Sequence, residues 1–130
     1  MQTPSFINQE DVLLLHTDPI ESFGGTPGLR DAGLLDSALA QPQATFAGDL
    51  LHPTIEEQTA AYLYHLAMNH PFMDGNKRTA FAVMDTFLRV NGYVLTLTNE
   101  QAHNLVLQVV EEKVDKAGLI VELVKAVRER

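Results

Sequence analysis

Thr54-Ile55-Glu56-Glu57-Gln58-Thr59-Ala60-Ala61-Tyr62-Leu63-Tyr64-His65-Leu66-Ala67-Met68-Asn69 begins with a Thr-x-x-Glu capping signature and then sets Ala60, Ala61, Leu63, Tyr64, Leu66, Ala67 and Met68 at helical spacing. The spacing predicts a helix over 55–69, and the scarcity of charge after Glu57 predicts a central, buried position for it. Beyond the break at His70-Pro71, a second helical pattern runs over about 76–91 through Ala80, Phe81, Val83, Met84, Phe87, Leu88 and Val90, and stops at Asn91-Gly92. Two apolar helices joined by a short junction form the expected core pair, and the rest of the chain has to cover them.

Upstream, Asn8-Gln9-Glu10-Asp11 followed by Val12 to Leu15 reads as a cap, an acidic first turn and an apolar face, predicting a helix over about 9–22 that Pro19 kinks or splits. Three glycines and a proline between Gly24 and Arg30 mark a loop. Asp31 caps a second short helix carrying Leu34, Leu35, Ala38 and Leu39 and ended by Pro42, and residues 43–53 read as loop or turn. Downstream, Val94 to Leu97 suits a short extended piece, and Thr98-Asn99-Glu100-Gln101 opens a helix to about 113. A last helix over about 116–128 is expected to carry Leu119, Ile120, Leu123, Val124 and Val127 inward. About six helices and at most one short extended segment predict an all-α, compact, single-domain helical bundle covering residues 1–130.

The bulk numbers agree with one soluble domain: 130 residues, 45% hydrophobic and 20% charged. A formal charge of −8, with Lys and Arg scattered along the chain, argues against direct nucleic-acid binding. The absence of cysteine excludes disulfides and thiolate chemistry and suits a reducing, cytoplasmic setting. Neither a signal-peptide pattern in Met1 to Glu10 nor an apolar run of membrane-spanning length is present, so no membrane association is expected. His16, His52, His65 and His103 lack the spacing of a zinc site, and Tyr62, Tyr64, Phe81 and Phe87 fall on apolar faces as core residues.

Chemistry concentrates at His70-Pro71-Phe72-Met73-Asp74-Gly75-Asn76-Lys77-Arg78, the junction of the two core helices. The first amides of a helix have no intrahelical acceptor and lie at the positive end of the macrodipole, so Gly75 to Arg78 suit phosphate oxygens. Gly75 permits close backbone approach, and Lys77 and Arg78 add positive charge. A carboxylate at Asp74 would repel phosphate unless a cation lay between them, which points to a nucleotide carrying Mg²⁺. His70 can accept a proton near neutral pH and so act as a general base toward an attacking hydroxyl. Each residue alone is an ordinary helix-junction residue; their coincidence supports a site.

This segment resembles the Fic superfamily motif, His-Pro-Phe-x-Asp/Glu-Gly-Asn-Gly/Lys-Arg, and with Lys77 and Thr79-Ala80 it is most similar to the Doc (death-on-curing) toxin branch. Phe23-Gly24-Gly25, Gly28-Leu29-Arg30-Asp31, Leu34-Leu35, Ala38-Leu39, Pro42-Gln43 and Asn91-Gly92-Tyr93 extend the resemblance over most of residues 10–110. The resemblance implies a Fic/Doc fold in which His70 is the base, Phe72 anchors the motif loop in the core, and Asp74 holds Mg²⁺. It also implies that Gly75, Asn76, Lys77 and Arg78 cradle the phosphates of ATP, with Arg78 counted among the catalytic groups and Arg30 a candidate to face the nucleotide.

The AMP-transferring branch of that superfamily usually has Gly where Lys77 stands and a second Arg where Phe81 stands. Both departures favour transfer of the γ-phosphate to a Ser/Thr hydroxyl, with AMP transfer the alternative and a non-catalytic nucleotide-binding regulatory module a further one. By resemblance, the target is elongation factor Tu, so that translation is blocked. The inhibitory Ser/Thr-x-x-x-Glu-Gly/Asn motif of some Fic proteins is missing, since Thr17 to Glu21 is followed by Ser22 and Thr96 to Glu100 by Gln101. Restraint is therefore expected from a separate, Phd-like antitoxin.

Overall fold

The computed structural model describes residues 4–130, apart from the side chains of residues 18–23. Its elements run α1 (Gln9–Phe23), α2 (Ala32–Ala40), a single 3₁₀ turn (Gln41–Gln43), β1 (Thr45–Phe46), β2 (Asp49–Leu50), α3 (Ile55–Asn69), α4 (Asn76–Val90), β3 (Tyr93–Leu95), α5 (Asn99–Val110), α6 (Lys116–Ala126) and β4 (Val127–Glu129). The fold is all-α, with six helices and two small antiparallel strand pairs among the described residues. The expected effect of Pro19 falls on residues whose side chains lie outside the description; α1 is assigned across it without a break.

Helix α3 packs against α2, α4, α5 and α6. That central place explains why Tyr62, Leu63, Leu66 and Ala67 are buried along with the polar Gln58 and Thr59. Thr59 satisfies its hydroxyl by donating to the Ile55 carbonyl at 2.7 Å, the usual solution for a buried threonine in a helix. Phe87 of α4 meets the Tyr62 ring at 4.8 Å between centroids and the Phe6 ring at 5.9 Å. Burying each such ring contributes on the order of 2–3 kcal/mol, so the α3–α4 pair organises the core. The Tyr62 hydroxyl accepts from the Ile7 amide at 2.8 Å, tying the N-terminal segment to α3, and burial pushes its pKa up to about 12.

Caps follow the sequence closely. Asp31, Thr54, Thr98 and Asp115 each accept from an amide of the first turn of α2, α3, α5 and α6. Thr98 and Gln101 close a full capping box, whereas Glu57 meets the Thr54 hydroxyl at 2.8 Å and not the capping residue's amide.

Several local expectations are corrected. Residues 43–53 are not simply loop: β1 and β2 form a hairpin through Ala47 (φ 54°) and Gly48 (φ 89°), a pair of positive φ values that matches the right-handed strand twist. The last helix ends at Ala126, and Val127–Glu129 pairs antiparallel with Tyr93–Leu95, because β3 needs a partner for its backbone groups and a β-branched residue suits a strand. Leu119, Leu123 and Ala126 form the buried stripe of α6 and Val127 continues it, while Val124 is 57% exposed because it lies on another face. Val90, expected inside, is also exposed, and Tyr64 and Phe81 are only partly buried.

Candidate active site

The chain leaves α3 through His70, which adopts the left-handed conformation (φ 47°, ψ 56°) that closes many helices and that costs a non-glycine residue on the order of 1 kcal/mol. Arg30 offsets that cost. Its Nε donates to the His70 carbonyl at 2.7 Å and its Nη2 to the Asn69 carbonyl at 2.9 Å, so a cation satisfies orphan acceptors at the negative end of α3. The Gly28 to Asp31 strap runs alongside: the Arg30 and Asp31 amides donate to the Pro71 carbonyl at 2.7 and 3.1 Å, and the Met73 amide donates to the Gly28 carbonyl at 3.1 Å. Arg30 thus holds the backbone of the candidate base and does not line the pocket, which corrects the expectation that it faces the nucleotide.

Phe72 is 2% exposed and belongs to the hydrophobic core. Its ring stacks on that of His16 from α1, with centroids 3.8 Å apart and planes 8° from parallel. His16 is buried, and its Nε2 lies 2.7 Å from the Asp74 carbonyl oxygen. A carbonyl only accepts, so Nε2 carries the proton. One imidazole therefore pins the loop twice, by stacking and by hydrogen bonding.

Asn76 closes the loop on itself. The Phe72 amide donates to Asn76 Oδ1 at 2.9 Å, and Asn76 Nδ2 donates to the Phe72 carbonyl at 3.0 Å. The side chain of this predicted cradle residue is thus a clasp, matched in both donor and acceptor to one backbone unit. Gly75 (φ 76°) is then the turn into α4, in a conformation glycine adopts without cost.

Helix α4 starts without a side-chain cap. The Gly75 amide is taken by Asp74 Oδ1 at 2.8 Å, and the other carboxylate oxygen of Asp74 accepts from the Thr26 amide at 3.3 Å. The amides of the first helical turn remain oriented toward an outside acceptor. Lys77 and Arg78 are exposed, and neither forms an ion pair among the described residues. In a chain of net charge −8, two adjacent unpaired cations at a helix start make a local positive field.

These groups surround one pocket of about 410 Å³, lined by His70, Met73, Asp74, Gly75, Asn76, Lys77, Arg78 and Val110. Six sequence-predicted site residues meet there, while Phe72 lies beneath in the core and Arg30 behind. Sequence reasoning missed His16, Met73 and Val110 as neighbours of the site. Nothing near His16 in the chain links it to the loop; its apolar flanks, Leu13 to Leu15, marked it only as a residue of a helix face.

The sequence pattern of the Fic/DOC family matches residues 6–88. The chain is 41% identical over 120 residues to Toxin Doc of Mycolicibacterium smegmatis (strain ATCC 700084 / mc(2)155), covering 91% of this chain and 90% of that protein. It is 37% identical over 86 residues to Protein kinase doc of Escherichia phage P1, covering 66% of this chain and 68% of that protein. With the family pattern spanning the motif loop and the helices that hold it, the chain belongs to the Fic/DOC family.

Proposed function

We propose that this protein is the toxin of a toxin–antitoxin pair and that it transfers the γ-phosphate of ATP to a Ser or Thr hydroxyl of elongation factor Tu, blocking translation in the cytoplasm. The observation that carries this reading is the junction of α3 and α4: a helix start without a side-chain cap, with Lys77, Arg78 and the exposed His70 lining one pocket. Positive charge and free amides suit a polyphosphate, and a nearby imidazole suits removal of a hydroxyl proton. The names of the two relatives, a toxin and a protein kinase, support the same class.

The residues fit a divalent cation. Asp74 keeps an exposed carboxylate at the rim of a phosphate-sized pocket, and a single carboxylate together with substrate phosphates is a common environment for Mg²⁺. Bound there, Mg²⁺ would screen the carboxylate from the phosphates and stabilise charge on the transferring group. His70 takes the proton as the target oxygen bonds to the γ-phosphorus and the bond to the β–γ bridging oxygen breaks, giving ADP and a phosphorylated hydroxyl. The α4 amides, Lys77 and Arg78 stabilise charge on the phosphoryl oxygens, so that positioning and electrostatics supply most of the rate. A Phd-like antitoxin provides the restraint that this chain, lacking the inhibitory motif, does not carry itself.

Elongation factor Tu incubated with the protein, Mg²⁺ and ATP labelled at either the α- or the γ-phosphate tests the reaction. Label retained only from the γ position is the expected result, and His70→Ala should abolish it while nucleotide binding persists. Label retained from the α position would establish AMP transfer instead. Asp74→Asn should weaken Mg-ATP binding yet leave metal-free tripolyphosphate binding equal or tighter, because it removes a negative charge from the pocket rim.

A further inference from the structure

The chain has four methionines and no cysteine, so every sulfur atom in it belongs to a thioether. The methionines among the described residues differ sharply in access. Met84 is fully buried in α4, Met68 of α3 packs against the core, and Met73 is 55% exposed. Met73 also lines the phosphate pocket, in the company of His70, Asp74, Lys77 and Arg78. Its backbone is held: its own amide donates to the Gly28 carbonyl at 3.1 Å, the preceding Phe72 amide is clasped by Asn76, and the following Asp74 carbonyl is bound by His16. A thioether reacts with an oxidant only where the oxidant can reach its sulfur, and with no thiol in the chain to react first, Met73 is the most accessible sulfur of those described.

We propose that Met73 is an oxidation site that switches the phosphate pocket off: a small hydroperoxide converts its thioether to the sulfoxide, and the oxidised protein binds polyphosphate weakly. The proposal rests on the phosphate-site reading and adds a means of regulating that site. The sulfur lone pair attacks one peroxide oxygen, the O–O bond breaks as the S–O bond forms, and with hydrogen peroxide the second oxygen leaves as water; sulfur loses the two electrons that the peroxide gains. The product replaces an apolar stretch of pocket wall with an oxygen that carries partial negative charge and accepts hydrogen bonds. That oxygen competes with phosphate for Lys77, Arg78 and the helix-start amides, and it adds to the repulsion that the Asp74 carboxylate already exerts. Because methionine sulfoxide reductases return the thioether, the change is reversible.

Treatment of the full chain with dilute hydrogen peroxide, followed by peptide mapping in a mass spectrometer and by equilibrium binding of tripolyphosphate with Mg²⁺, tests this. One added oxygen should appear at Met73 before Met68 or Met84. Affinity for tripolyphosphate should fall roughly tenfold, the scale of one hydrogen bond to a charged group, and return after incubation with methionine sulfoxide reductases. Met73→Leu, which keeps an apolar side chain of similar volume and has no sulfur to oxidise, should show the same affinity before and after peroxide. Oxygen gained at Met73 with binding unchanged, earlier oxidation of Met68, or an equal peroxide-induced loss in Met73→Leu would overturn the switch while leaving the phosphate site standing. Failure of tripolyphosphate to bind the untreated protein would remove both.

Discussion

The ring of His16 lies parallel to that of Phe72 at 3.8 Å, joining the middle of α1 to a loop far along the chain. Because Nε2 of the same imidazole binds the Asp74 carbonyl, a side chain outside the motif sets the height and tilt of the motif loop. An imidazole buried this way keeps its Nε2 hydrogen directed at the Asp74 carbonyl, and its removal leaves both a void and an orphaned acceptor.

His16→Ala should therefore destabilise the protein by about 2–4 kcal/mol in urea denaturation, combining a cavity with a lost buried hydrogen bond. His16→Phe keeps the stack and loses only the hydrogen bond, so it should recover most of the stability. Phosphate transfer should remain at least about tenfold down in both variants if the loop position matters to the reaction.

Asn76→Asp is expected to damage the loop nearly as much as Asn76→Ala, although it is close in shape. The clasp needs a donor toward the Phe72 carbonyl, and a carboxylate places oxygen against oxygen there. A loss of about 1–3 kcal/mol in each, read by thermal or chemical unfolding, is expected; an Asn76→Asp protein as stable as the parent would refute the clasp.

Arg30→Ala should act on turnover more than on nucleotide binding. Its guanidinium holds the carbonyls of Asn69 and His70 and stays out of the pocket. We expect a fall in kcat with KM for ATP within about twofold, and a stability loss of about 1 kcal/mol because the side chain is solvent-exposed. Arg30→Lys supplies a single nitrogen where Arg30 uses two, Nε and Nη2, in a fixed fork, and should rescue only part of kcat.

Acid sensitivity should arise away from the candidate active site. Lys116 Nζ sits 3.0 Å from His65 Nε2 and 3.2 Å from His52 Nε2. Burial, then the Lys116 charge, then His52 lower the His65 pKa to about 4 from 6.5. Between those values the unfolded chain binds the proton and the folded one does not, so stability is full above about pH 6.5, declines as the pH falls, and levels off below about 4. The decline should be about 1–2 kcal/mol after allowance for solvent screening. Urea midpoints compared at pH 7.5 and 4.5 measure it, and His65→Gln should flatten the difference.

The α3–α4 pair was readable in the chain because its apolar residues recur at helical spacing and its boundaries carry local punctuation: Thr54 at one end, His70-Pro71 and Gly75 in the middle, Asn91-Gly92 at the other. The motif residues were readable for a related reason, since they are consecutive and the physics of a helix start depends only on neighbours in sequence. What stayed illegible involves partners far apart in the chain. The pairing of Val127–Glu129 with Tyr93–Leu95 depends on an unsatisfied strand edge that exists only once α5 and α6 have folded back. The tasks of His16, Arg30 and Asn76 likewise depend on which backbone groups the fold leaves without partners, and no periodicity records that. Local patterning determined the helices and the chemistry available at their junction; tertiary packing alone decided which side chains face the pocket and which hold it in place, because burial and hydrogen-bond satisfaction belong to the assembled core.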